Sequence, residues 1–143
     1  MNLAKKHETL LLIIWTQTLV ATIGSLFYSE IMGYLPCELC WYQRILMYPL
    51  VIVYGLAIIK KDLQIALPGI FLSGIGMIVS AYHYGLQKLP ALQNTGGFCG
   101  NIPCNLQYVN YFGFITIPFL AGIAFITVFC LHMIILRTKN KLA

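Results

Sequence analysis

Four long apolar stretches constrain this chain more than any other feature. They cover about 9–28, 41–59, 63–84 and 111–136. At 1.5 Å rise per residue, a helix of about 20 residues spans the roughly 30 Å of a bilayer's hydrocarbon. Backbone polar groups in lipid must be satisfied within the segment, so each stretch is expected to be a helix. Composition agrees: 59% of the 143 residues are hydrophobic and only 9% are charged. A chain this small cannot hide so much apolar surface from water, and lipid must be its solvent. The expectation is an all-α membrane protein, a four-transmembrane-helix bundle forming one domain over 1–143, with loops at 29–40 and 85–110 on one side. A cleaved signal peptide competes for the N-terminus. The run after Lys5 and Lys6 is longer than a usual signal core, however, and no A-x-A cleavage pattern follows, so it reads as a retained helix.

The net charge of +5 does not point to nucleic acid, because the basic residues cluster at segment ends. Lys5 and Lys6 precede the first stretch, Lys60 and Lys61 link the second to the third, and Arg137, Lys139 and Lys141 follow the fourth. The other side has only Arg44 and Lys88. The positive-inside rule then places both termini and the 60–62 turn in the cytoplasm, with both loops extracytoplasmic. Within the third stretch, Gly69, Ser73, Gly76 and Ser80 make a small-residue face suited to helix packing. Pro49, Pro68 and Pro118 are expected to kink or start helices.

Two cysteine pairs fall on that extracytoplasmic side, where disulfides can persist. The first is Cys37-Glu38-Leu39-Cys40, with Arg44 one turn beyond Cys40. A C-x-x-C at a helix start is redox-competent, since the helix N-terminus and a nearby cation both stabilise thiolate. If the helix begins near Cys40, the Arg44 guanidinium shares its face and can stabilise a Cys40 thiolate and the charge of a reduced acceptor. The bland reading is a staple plus a snorkelling arginine. The second pair, Cys99 and Cys104, lies among Gly96, Gly97, Gly100 and Pro103, which suit a tight, exposed ring that a partner's thiolate could reach. Its bland reading is a bridge that only stabilises the loop.

All four cysteines could instead cage one zinc, but an oxidising location and a neighbouring Arg disfavour this, and no metal is expected. Haem attachment fails because Trp41, not His, follows Cys40. Cys130, far along the fourth stretch, is expected to be a small apolar filler. His83, in Ser80-Ala81-Tyr82-His83-Tyr84, could donate to a carbonyl acceptor at the depth of Arg44, or simply bond a loop carbonyl. His7 and His132 lie toward the other end. Trp41, Tyr42, Tyr108, Tyr111 and Phe112 read as an interfacial belt, with one or two placed to line a pocket.

Two pairs facing one compartment can exchange electrons as thiols and disulfides, but oxidising a partner dithiol needs a sink. The chain has no G-x-G-x-x-G and no soluble domain to hold a dinucleotide. A lipid-dissolved quinone, menaquinone or ubiquinone, is the natural acceptor at a membrane edge.

These residues resemble the disulfide bond formation protein B (DsbB) family, and most closely its short, Gram-positive BdbC-like branch. The resemblance covers nearly the whole chain. It is carried most specifically by Pro36-Cys-Glu-Leu-Cys-Trp-Tyr-Gln-Arg44, by Ile-Leu-Met-Tyr-Pro49 after it, and by Gly113-Phe-Ile-Thr-Ile-Pro-Phe119. It implies redox-active disulfides Cys37–Cys40 and Cys99–Cys104 in a thiol:quinone oxidoreductase. The partner would be a thioredoxin-like extracytoplasmic thiol oxidase of the DsbA or BdbD kind. Cys99 would form the mixed disulfide with the partner, and Cys104 would then attack Cys37. Cys40 would remain as the thiolate beside the quinone, with Arg44 holding the quinone and His83 near it. Only four residues separate Cys99 from Cys104, fewer than in the longer branch, which restricts the reach of Cys104 to Cys37. A vitamin K epoxide reductase-like enzyme is a rival, but there the loop pair precedes the C-x-x-C.

Overall fold

The structure is a computed structural model and describes residues 3–93 and 99–140. Gly96, Gly97 and Lys141, used above, lie outside the described residues. Among the described residues, four helices are long and apolar enough to cross a membrane: α1 (Leu3–Leu26, prolonged by a π-helical turn Phe27–Ile31), α2 (Glu38–Lys60), α3 (Leu67–Lys88) and α5 (Ile117–Asn140). A single turn, α4 (Pro90–Gln93), follows α3. Among the described residues there is no strand, only one isolated bridge between Tyr111 and Ile115.

The helix ends differ from those read off hydropathy. Apolar runs mark the hydrocarbon slab, whereas a hydrogen-bonded helix continues into the headgroups. Thus α1 begins at Leu3 rather than about 9, α3 ends at Lys88 rather than about 84, and α5 runs to Asn140 rather than about 136. Starts shift for local reasons. Helix α2 begins at Glu38, three residues before 41, because Cys37 is extended (ψ 172°) and Glu38 suits the positive N-terminal end. Residues 63–66 form a turn, with Ala66 N–H on Leu63 O, and Pro68 sits in the first turn of α3. Residues 111–115 close into a tight loop with Phe112 and Gly113 at positive φ (54° and 81°), so α5 starts at Ile117 with Pro118 beside it. Pro49 alone lies inside a helix.

Around the bundle, α1 packs on α2 and α5, and α3 packs on the same two helices. Helices α1 and α3 are diagonal and do not meet, and α2 barely meets α5. The small-residue face of α3 is buried throughout and lets its neighbours in. A Cβ on Gly69 would come within 3.0 Å of the Tyr54 ring, and one on Gly76 would overlap Phe125. Tyr54 and Phe125 join Leu11, Ile14, Leu50, Ala57 and Val128 in the main core. Across the axis of that core, the Tyr54 hydroxyl meets His132 Nδ1 at 2.7 Å, linking the diagonal helices α2 and α5. Outward-facing Ile52, Phe71 and Ile78 are 66–72% exposed, as lipid-facing side chains must be. Cys130 belongs with them. It is exposed on α5 rather than packed as a core filler, because it falls on the face of α5 opposite Phe125 and Val128.

Candidate functional site

The helix start at Glu38 makes Cys37, not Cys40, the N-cap of α2. The two thiols are free, with Sγ–Sγ 3.0 Å, and Cys37 is buried while Cys40 is half-buried. Cys37 also meets His83 Nε2 at 3.6 Å. The hydrogen bond from the Cys40 thiol holds the Cys37 pKa well below the usual thiol range, with His83 adding to it and burial opposing it. Charge is therefore held on Cys37 more readily than on an ordinary thiol.

Cys99 and Cys104 are joined as a disulfide, with Cα atoms 5.7 Å apart. Cys104 is buried and Cys99 partly exposed. One apolar cluster contains Cys37, Leu39, Leu86 and Cys104, with Cys40, Cys99 and Ile102 packed against it. The short ring therefore rests against the C-x-x-C. A Cβ on Gly100 would lie 2.7 Å from Glu38 Oε1, the movable end of a side chain on the first turn of α2.

The end of α3 latches the loop in place. His83 Nε2 donates to Cys104 O (3.1 Å), Gln87 Nε2 to Leu106 O (3.1 Å), and Gln107 Nε2 back to Gln87 O (2.8 Å). Lys88 Nζ reaches Gly113 O at 2.7 Å, and Tyr84 O–H donates to Phe114 O. These carbonyls would otherwise be left without partners at the membrane edge.

On the other side of the dithiol lies a cavity of about 250 Å³ between α1, α2 and α5, capped by Tyr34 and Tyr108. Cys40, Gln43 and Arg44 line it, with apolar Val20, Met47 and Leu120. The π-helical turn of α1 contributes Tyr28 and Ser29. Arg44 donates to Ser25 O (3.2 Å) on α1 and lies 5.4 Å from the Trp41 ring. A second cavity, about 20 Å³, sits under the loop and is lined by Cys37, Cys40, His83 and Gln87. Cys40 borders both.

The six residues singled out from the sequence thus gather at one end of the bundle, in two environments. Cys40 and Arg44 share the larger cavity. His83 does not line it; it lies behind Cys37 and bonds a loop carbonyl, the blander of the two expectations. Tyr108 is the belt aromatic that lines the cavity. Cys99 and Cys104 are bonded to each other, so a cage of all four sulfurs would require that disulfide to open. Cys37, Cys40 and His83 do place three ligand atoms within 4.8 Å of one another. Sequence reasoning missed Gln43, whose amide meets His83 Nδ1 at 3.0 Å. Its signal was a Gln one turn past Cys40, beside Arg44 in a largely apolar helix.

Geometry and composition together define a multi-pass membrane protein with two adjoining cysteine pairs, one a disulfide and one a dithiol. The family described as "Disulfide bond formation protein DsbB" matches residues 7–135. A "Probable disulfide formation protein" of Oceanobacillus iheyensis is 62% identical over 99% of each chain. The "Disulfide bond formation protein C" of Bacillus subtilis strain 168 is 44% identical over 89% of this chain and 92% of its own. The "SPbeta prophage-derived disulfide bond formation protein B" of the same strain is 37% identical over 94% and 90%. No solved structure matches. The chain belongs to the DsbB family, and that membership makes it a disulfide oxidoreductase of disulfide bond formation.

Proposed function

We propose that this protein is a thiol:quinone oxidoreductase of the bacterial cell membrane that reoxidises a thioredoxin-like extracytoplasmic dithiol oxidase. One observation carries the reading. The C-x-x-C lies between the two things such an enzyme must connect, with Cys37 against the Cys99–Cys104 ring and Cys40 in the cavity with Arg44. Both termini and the 60–62 turn would be cytoplasmic, and the cysteine loops extracytoplasmic.

A partner thiolate attacks Cys99, the more exposed sulfur of the ring, and releases Cys104. Cys104 attacks Cys37 of an oxidised Cys37–Cys40 pair and releases Cys40. The second partner thiol then frees Cys99, which attacks Cys104 and releases Cys37. The result is an oxidised partner, a restored ring and a reduced C-x-x-C. A bound quinone supplies the sink for two electrons and two protons. The residues present fit such a group. A largely apolar cavity of about 250 Å³ approaches the size of small-ligand sites, roughly 300 Å³ upward. It holds a sulfur from Cys40 and a fixed cation from Arg44 that can pair with a quinone oxygen.

The test is quinone reduction by purified protein with a reduced thioredoxin-like protein as donor. Cys40→Ser is expected to abolish quinone reduction and Cys99→Ser to abolish oxidation of the donor. Full activity in either variant overturns the scheme. A second reading, metal binding, draws on the Cys37–Cys40–His83 group. Stoichiometric zinc with protected thiols in the purified protein, and no turnover, would favour it.

A further inference from the structure

The His83 ring is held at both nitrogens, and the two bonds agree on one tautomer. Cys104 O can only accept, so Nε2, 3.1 Å away, must carry the proton. Nδ1 of a neutral ring is then a lone pair, and it lies 3.0 Å from Gln43 Nε2, whose NH₂ donates. The same Nε2–H lies 3.6 Å from Cys37 Sγ. A single N–H therefore stands at the seam between the two cysteine pairs, facing the backbone of one and a sulfur of the other. Gln43 and His83 are 6% and 1% exposed. In such a place an unpaired polar atom is costly, so each constrains the other.

We infer that Gln43 is a positioning residue for electron exchange between the pairs. By donating to Nδ1 it keeps the proton of His83 on Nε2, the nitrogen that lies beside the sulfur that must leave as an anion. The inference rests on the relay proposed above and concerns one step of it. In that step the Cys99 thiolate attacks Cys104 of a Cys37–Cys104 disulfide. The Cys99–Cys104 bond forms, the Cys37–Cys104 bond breaks, and the electron pair of the broken bond goes to Cys37 Sγ. Cys99 is oxidised, Cys37 is reduced, and no further reactant is needed. The Nε2–H hydrogen bond strengthens as charge builds on Cys37, because bonds to ionised acceptors are about twice as strong as neutral ones. His83 keeps its proton throughout.

The experiment omits quinone. Fully oxidised protein receives one equivalent of reduced thioredoxin-like donor, and samples are quenched by alkylation to follow thiols at Cys99/Cys104 and Cys37/Cys40 separately. In Gln43→Met, close in shape but without the donor, transfer to Cys37/Cys40 relative to reduction of Cys99/Cys104 is expected to fall about tenfold, the size of one such bond. The ¹⁵N resonances of His83 report the tautomer directly. Wild type should show the proton on Nε2, and Gln43→Met should show a mixture. An unchanged transfer ratio in Gln43→Met, or a wild-type proton on Nδ1, overturns the inference; the second result needs no folded variant. Wild-type protein that never moves electrons from the ring to the C-x-x-C would instead defeat the relay itself.

Discussion

At the scale of single residues, the division of labour within the C-x-x-C is the main result. Cys37 is the sulfur stabilised as an anion, through Cys40 and His83, and Cys40 is the sulfur that borders the cavity. Because the Cys37 pKa is lowered, its thiolate exists above that lowered value and is lost only when acidification passes below it. Reduced protein should therefore show thiolate absorbance near 240 nm at neutral pH, where an ordinary thiol of pKa about 8.5 would be mostly protonated. That absorbance should vanish in Cys37→Ser and titrate at higher pH in His83→Ala. Arg44→Leu should raise KM for quinone at least about tenfold, through loss of a charged hydrogen bond, while thiol exchange without quinone persists. Steady-state kinetics against single-turnover alkylation separates the two. The C-x-x-C and Arg44 were legible in the sequence because their relation is local: residues three and four apart share a helix face. Gln43 and His83 were not legible as a pair, since 40 positions separate them and only the register of α2 on α3 brings them together.

At the scale of elements, hydropathy gave the number of helices and misplaced their ends. It measures what lipid tolerates, while capping, proline and turn geometry decide where the hydrogen-bonded ladder stops. The start of α2 matters most, since a shift of three residues moved the N-cap from Cys40 to Cys37. The packing face of α3 was visible as a small-residue spacing, though not what it admits. Gly76→Val should clash with Phe125 and cost about 1–3 kcal/mol, measured as a lower unfolding midpoint in detergent. Tyr54→Phe removes the cross-axis bond to His132 and should cost less, about 0.6 kcal/mol. The latch from α3 to the loop was invisible, because it joins side chains to loop carbonyls whose positions no local pattern encodes.

At the scale of the molecule, charge distribution sets an expected orientation. With the native cysteines blocked, a cysteine placed at Phe112 should react with an impermeant maleimide in intact cells, and one at Asp62 only after permeabilisation. The opposite result would invert the topology. The two halves of the bundle are also unlike. One end has cavities, free thiols and a latched loop; the other is packed around Leu11, Ile14, Tyr54, Ala57 and Val128, with Tyr54 and His132 tied across its axis. Under the proposed relay, the protons released by the partner's thiols and those taken up by the acceptor meet on the same face of the membrane. No charge need cross the other half. A charge that did cross would couple to the membrane potential by about 2.3 kcal/mol per 100 mV. Turnover in sealed vesicles should therefore be indifferent to an imposed voltage: the enzyme does chemical work at one surface and no electrical work through the bilayer.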